Sequence, residues 1–250
     1  MVIHIHLDQY EQHDLQQIIE GDSSVEALIA VSWDLNSCKM NQKIALHYPQ
    51  VKPAYGFHPE QPLPAEKDFK ELLSWMELHH SEMVAVGEVG LPYYSRQEQE
   101  LSLEPYLELL EMFIVRAKKW GKPIVLHAVL EDAKLVCDLL EKHSIRKAHF
   151  HWFKGDEKTI EWMIRNGYYI SVTPDVLYEK EIEELVKKYP LEQMVVETDG
   201  PWPFEGPFQG KQTHPRMIHQ SIEEIARIKQ VSLDDAYSIL RKNTLYFYDL

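Results

Sequence analysis

The chain is short of residues that several protein classes depend on. Its 250 residues include two cysteines, Cys38 and Cys137, far apart in helix-like segments, so neither a disulfide framework nor a cysteine metal knuckle is available. No apolar run approaches the roughly 18 residues that a membrane span requires. The opening Met1-Val2-Ile3-His4 lacks a basic stretch followed by an apolar one and does not read as a secretion signal. No strand candidate is followed by G-x-G-x-x-G or a Walker A loop. Positive charge is scarce: 26 Lys+Arg face 40 Asp+Glu, a net charge of -14. Such a surface repels phosphate backbones, which excludes sequence-independent coating of nucleic acid. A nucleic-acid substrate then requires a local source of positive charge, such as bound metal ions. These absences describe a soluble cytoplasmic protein with no membrane partner; the oligomeric state is not written in them.

What is present supports a large core. Hydrophobic residues make up 44% of the chain and aromatics 11%, which excludes disorder as the main state. Short β-branched runs recur at Val2–Leu7, Ala27–Ser32, Lys52–Phe57, Val84–Glu88, Pro123–His127, Lys147–His151, Tyr168–Val172 and Met194–Thr198. Helix-like segments lie between them, among them Glu100–Trp120 and Asp132–His143. Ile218, Ile222 and Ile225 mark one face of a late helix, and Ser232-Leu233-Asp234-Asp235 resembles a capping box opening a last one. This alternation predicts an α/β chain folded as a single-domain (β/α)8 TIM-like barrel over residues 1–250. A doubly wound open sheet is the alternative, since alternation alone does not show closure. The stretch Gly200–Lys211, rich in proline and glycine, is incompatible with regular structure. It belongs on the C-terminal rim, where it can form one wall of a site.

The 13 histidines carry the chemistry. His4 and His6 share a strand and, being two apart, point to one side. Glu88, His127 and His151 end later strands, and Asp199 directly follows the last one. Singly, such residues are more often hydrogen-bonded core or surface groups. Their convergence on one barrel rim is the signal, because accidents would scatter over both ends. Four histidines and two carboxylates there suit one or two divalent ions such as Zn²⁺, Mn²⁺ or Mg²⁺. His149 competes with His151, since the two share a face; His151 is nearer the rim, where Trp152-Phe153-Lys154-Gly155 ends the strand. His58 is a candidate to support a ligand or touch substrate. Lys154, Lys211 and Arg216 could hold phosphate oxygens, and Trp152, Trp202, Phe204 and Phe208 could stack on a base. Each of these also has an ordinary reading as surface charge or loop packing.

In this order the residues resemble the TatD family of metal-dependent hydrolases, within the amidohydrolase superfamily, over nearly the whole chain. The resemblance rests on His4-Ile5-His6-Leu7-Asp8, Gly56-Phe57-His58-Pro59, Gly87-Glu88-Val89-Gly90-Leu91, Pro123–His127, His151-Trp152-Phe153-Lys154-Gly155 and Glu197-Thr198-Asp199-Gly200-Pro201. It favours His151 over His149. It implies that His4, His6 and Asp199 hold one ion, that Glu88 bridges to a second, and that His127 and His151 complete that site. Departures fall at Val2, where the family often has an acidic residue, and at Pro92, where it often has Asp. Val129 stands where Arg is common, and Thr213-His214-Pro215 replaces an Asn-x-Pro pattern. The expected activity is that of a phosphodiesterase or deoxyribonuclease working through a metal-activated water, with Asp199 and Glu88 as catalytic groups and DNA or a small phosphodiester as substrate. The alternatives are hydrolysis of a small amide, ester or lactone, and a metal-binding barrel without turnover.

Overall fold

The computed structural model describes residues 2–21 and 25–250, without the side chains of Val2 and Ile3, so the departure at Val2 falls on a side chain outside what is described. The strands are β1 (Val2–Ile5), β2 (Leu28–Ala30), β3 (Val51–Tyr55), β4 (Ala85–Gly90), β5 (Ile124–His127), β6 (Ala148–Phe150), β7 (Tyr169–Val172) and β8 (Met194–Val196). All neighbouring pairs are parallel and follow the order of the sequence. Two backbone hydrogen bonds tie the last strand's exit to the first strand: Asp199 N donates to His4 O at 3.1 Å, and His6 N to Gly200 O at 2.8 Å. The sheet therefore curls into a (β/α)8 barrel and not an open doubly wound sheet.

The helices are α1 (Gln12–Glu20), α2 (Leu35–His47), α3 (Glu66–His79), α4 (Tyr93–Glu98), α5 (Glu104–Trp120), α6 (Glu131–Lys142), α7 (Glu157–Asn166), α8 (Lys180–Lys188), α9 (Ile218–Lys229) and α10 (Leu233–Tyr248). Their ends follow from local chemistry. Asp156 accepts the backbone N–H groups of Lys158 at 2.9 Å and Thr159 at 3.2 Å, which opens α7. Ser232 Oγ accepts Asp235 N at 3.1 Å, the first half of the expected capping box. Such caps contribute about 1 kcal/mol each. All strands but β4 are shorter than the apolar runs suggested because their flanking residues turn early into loops, whereas β4 runs on to Gly90. Within Gly200–Lys211 one single turn, Gly206–Phe208, does form.

Alternation within the strands divides the core in two. Leu28, Ala30, Val86, Leu126 and Phe150 pack outward against the helices in the main cluster. Ile29, Val31, Ala54, Ala85, Val125 and Val195 face the barrel axis and pack with Phe247 and Tyr248 at the end of α10. Two residues further along the same faces come His127 and Glu197, so the inner core runs directly into the site. Both cysteines are buried thiols, Cys38 in α2 and Cys137 in α6.

Candidate metal centre

The C-terminal parts of the strands bring every expected ligand to one point, although Glu88, expected to end its strand, lies within β4, which runs on to Gly90. Glu88 is fully buried, and its two oxygens face two different groups of histidines. Oε2 lies 3.0 Å from His4 Nε2 and 3.5 Å from His6 Nε2. Oε1 lies 2.7 Å from His151 Nε2, 2.9 Å from His127 Nδ1 and 3.4 Å from His58 Nε2. Asp199 Oδ1 completes the first group, 3.3 Å from His4 Nε2 and 3.6 Å from His6 Nε2. The carboxylate of Glu88 thus stands between two histidine sets, as a bridging ligand must.

The His127 Nδ1–Glu88 Oε1 contact is a hydrogen bond, but the first group is different. His4 Nε2, Glu88 Oε2 and Asp199 Oδ1 are all buried without a hydrogen-bond partner among the described residues. Buried polar groups left so are costly. Ligand atoms about 2.0–2.1 Å from a shared ion sit about 3.0–3.4 Å apart in octahedral or tetrahedral coordination, close to the spacings here. The donor set of imidazoles and carboxylates suits a divalent cation, and the orphaned atoms are the ones a cation would satisfy. Electrostatics agree. Burial alone would raise the Glu88 carboxyl, but His151, His58 and His4 hold it well below the usual range. Burial and His151 press His4 down, yet Glu88 and Asp199 lift it to about 9. The anionic cage therefore demands positive charge.

Loop geometry positions this set. His4, Trp152 and Asp199 adopt left-handed backbone angles (φ 60, 39 and 44), strain that non-glycine residues rarely carry and that clusters at functional sites. Gly90 answers a close approach: a Cβ there would meet the His127 carbonyl at 1.9 Å. His149 does share its face with His151, but one layer deeper, where its Nδ1 lies 3.1 Å from Tyr248 Oη. It belongs to the barrel plug and not to the rim.

Three supporting carboxylates were not singled out as site residues in the sequence. Glu60 lies 3.2 Å from His127 Nε2. Glu197 accepts Trp152 N at 2.9 Å and lies 3.7 Å from His151 Nδ1. Asp175 accepts Trp152 Nε1 at 2.6 Å. The parity of Glu197, two residues before Asp199, was the available signal; the other two depend on loop paths.

The centre floors a cavity of ≈ 1040 Å³, lined by His58, Lys154, Trp152 and Trp202 among others. His58 Nδ1 accepts Glu60 N at 3.1 Å, which leaves Nε2–H pointing at the site, and its ring stacks on Trp33 at 3.9 Å. Pro201 to Glu205 form part of one wall. Phe204 and Phe208 are buried with Met217 as packing of that loop. Lys211 instead donates to Pro207 O at 2.8 Å, and Arg216 to Gly21 O at 2.6 Å; neither lines the cavity. Val129 does line it, Pro92 precedes α4, and Thr213 ties the wall by donating to Trp202 O.

Comparison with known proteins agrees with this geometry. Residues 3–249 match the family described as TatD related DNase. An uncharacterized metal-dependent hydrolase of Haemophilus influenzae is 39% identical over 249 residues, covering 99% of this chain and 98% of the relative. The human deoxyribonuclease TATDN3 is 28% identical over 260 residues, covering 98% and 93%. Among solved structures, the TatD homologue YjjV of Escherichia coli superposes with a TM-score of 0.87 at 22% identity, covering 100% of this chain and 98% of that one. A TatD family hydrolase of Entamoeba histolytica gives 0.83 at 21%, covering 99% and 97%. The barrel, the convergent ligands and these matches together place the chain in the TatD-related DNase family of metal-dependent hydrolases.

Proposed function

We propose that the protein hydrolyses phosphodiester bonds, including those of DNA, at a centre of one or two divalent ions held by His4, His6, Glu88, His127, His151 and Asp199. The observation that carries this reading is the convergence of His4 Nε2, Glu88 Oε2 and Asp199 Oδ1, buried and without hydrogen-bond partners among the described residues, at the base of a cavity that Asp199 lines. Divalent ions bound there would bring the pKa of a coordinated water towards about 7 and polarise a phosphoryl oxygen. Asp199 follows β8 on the seam and takes the attacking water's proton, then returns it to the leaving oxygen. Glu88 fixes the two histidine groups relative to one another. His58 donates its Nε2–H toward a non-bridging oxygen, since Nδ1 is already engaged by Glu60 N. The buried ligands exclude bulk water from the reacting centre. The deoxyribonuclease relatives favour phosphodiesters over an amide, ester or lactone.

No helix among the described residues is long and apolar enough to cross a membrane. The two unpaired, buried thiols fit a reducing compartment such as the cytoplasm.

Elemental analysis of the purified protein, with bis(p-nitrophenyl) phosphate hydrolysis before and after chelation, tests the reading. Bound divalent metal with activity lost on chelation and restored by Mn²⁺ or Zn²⁺ is the expected result. Metal-loaded protein that cleaves aryl esters or lactones but no phosphodiester would overturn it.

A further inference from the structure

The mouth above the centre carries the wrong charge for a nucleic-acid strand. Outside the ligand set, the carboxylates of Glu60, Glu98, Asp175, Glu179 and Glu205 line the cavity, and among the described residues Lys154 is the one lysine or arginine that does. Burial pushes the Asp175 carboxyl up, opposed by hydrogen bonds from Thr173 and Trp152 and by the Lys154 charge.

The carboxylates fall on two walls. Glu98 at the end of α4 and Glu60 lie on one side, with Glu60 tied to the backbone N–H groups of Tyr94 and Ser95. Asp175, Glu179 and Glu205 gather around Tyr178 on the other, where Glu205 N donates to Tyr178 Oη at 3.1 Å. Each wall also offers an exposed aromatic face, Tyr94 at 53% and Trp202 at 57% exposure. A base can stack on either face. A phosphate at the centre meets positive charge once metal is bound, but the next phosphate along a strand meets carboxylates.

Building on the phosphodiester reading above, we propose that these acidic walls act as a length filter. The site takes a phosphodiester of dinucleotide size, with one reacting phosphate and a base stacked on Trp202 or Tyr94. A longer strand is discriminated against by Glu179 and Glu205 on one side and Glu98 on the other. Positively charged grooves that track a strand work in the opposite sense.

The test compares first-cleavage kcat/KM for a thymidine dinucleotide and for single-stranded thymidine oligomers of five and twelve nucleotides, with Mn²⁺-loaded protein. At low salt the twelve-nucleotide strand should fall about tenfold or more below the dinucleotide. Raising salt should narrow the gap, because the Debye length shrinks from about 30 Å at 0.01 M to about 10 Å at 0.1 M. For proteins that grip phosphates with lysine and arginine, salt weakens strand binding. The double variant Glu179→Gln, Glu205→Gln should shift the strand-to-dinucleotide ratio about fivefold toward the strand. A ratio that is flat or rises with length, or that salt and the double variant leave unmoved, overturns the filter while phosphodiester hydrolysis stands. If the metal-loaded protein cleaves none of these substrates, the filter and the phosphodiester reading fall together.

Discussion

One oxygen of the Glu60 carboxylate lies 3.2 Å from His127 Nε2 and accepts the Tyr94 backbone N–H at 2.8 Å. Its other oxygen accepts Ser95 N at 2.7 Å. The carboxylate thereby binds the start of α4 and holds the His127 ring by Nε2, with Nδ1 facing Glu88 and His151. Carboxylates that orient a metal-binding imidazole in this way typically affect metal affinity by about 10–100-fold when removed. Glu60→Ala should weaken metal binding by that order in a calorimetric titration. Glu60→Gln, which retains an acceptor, should recover part of the loss. Equal affinity in all three proteins would remove Glu60 from the centre.

Asp199→Asn keeps the size of the side chain and one oxygen ligand but not the proton acceptor. At equal metal occupancy, kcat for bis(p-nitrophenyl) phosphate should drop by about 10²–10⁴. Unchanged turnover at that occupancy would assign the proton to another group.

Metal stabilises whatever it binds in the folded state. At 100 times its dissociation constant, an ion bound only by the native protein adds about 2.7 kcal/mol. Chelation should therefore lower Tm in a thermal scan, and Mn²⁺ or Zn²⁺ should restore it. His6→Ala should show a much smaller response; a full one would mean that His6 is not a ligand.

Arg96 pairs with the fully buried Asp132, joining α4 to α6. Burial pushes the Asp132 carboxyl up, and the Arg96 charge opposes that shift. Arg96→Met would strand the carboxylate and should cost about 3–5 kcal/mol in chemical denaturation. An acid with a raised folded pKa favours folding below its unfolded pKa and loses that contribution as pH rises through the folded one. The variant's deficit relative to the parent should thus shrink between pH 7 and about pH 4. A deficit independent of pH would place its origin in packing.

Gly90→Ala would drive a methyl group into the His127 carbonyl, where a Cβ would come to 1.9 Å. Backbone cannot yield there without moving a ligand. We expect a loss of about 1–3 kcal/mol in stability, together with weaker metal binding. Native stability and affinity in this variant would show that β4 and β5 can separate at no cost.

The proposed metal ligands were legible because they follow two simple patterns. His4 and His6 are spaced two apart at the end of β1, and His127, His151 and Asp199 fall where β5, β6 and β8 give way to loops. The same parity linked His149 to His151, but it cannot distinguish depth along the axis. Which of them reaches the rim depends on Tyr248 rising from α10 to fill the layer below. Lys211 and Arg216 were read for their charge, whereas their nearest carbonyls draw them to Pro207 and Gly21. Glu60 escaped notice because its partners, His127 and the start of α4, are remote in sequence. Closure itself had no local signature, since it consists of two hydrogen bonds between the chain's first strand and the loop after its last.

Those two bonds have a consequence for how the protein is made. His4 and His6 precede Asp199 by most of the barrel's sequence and so leave the ribosome well before it. The backbone bonds that join Asp199 and Gly200 to β1 are the ones that close the barrel. A nascent chain therefore carries the histidines and Glu88 before Asp199 can join them, and the pocket comes into being only when the ring shuts. A truncated product lacking the last strand would be open-sided and without the Asp199 side of the cage.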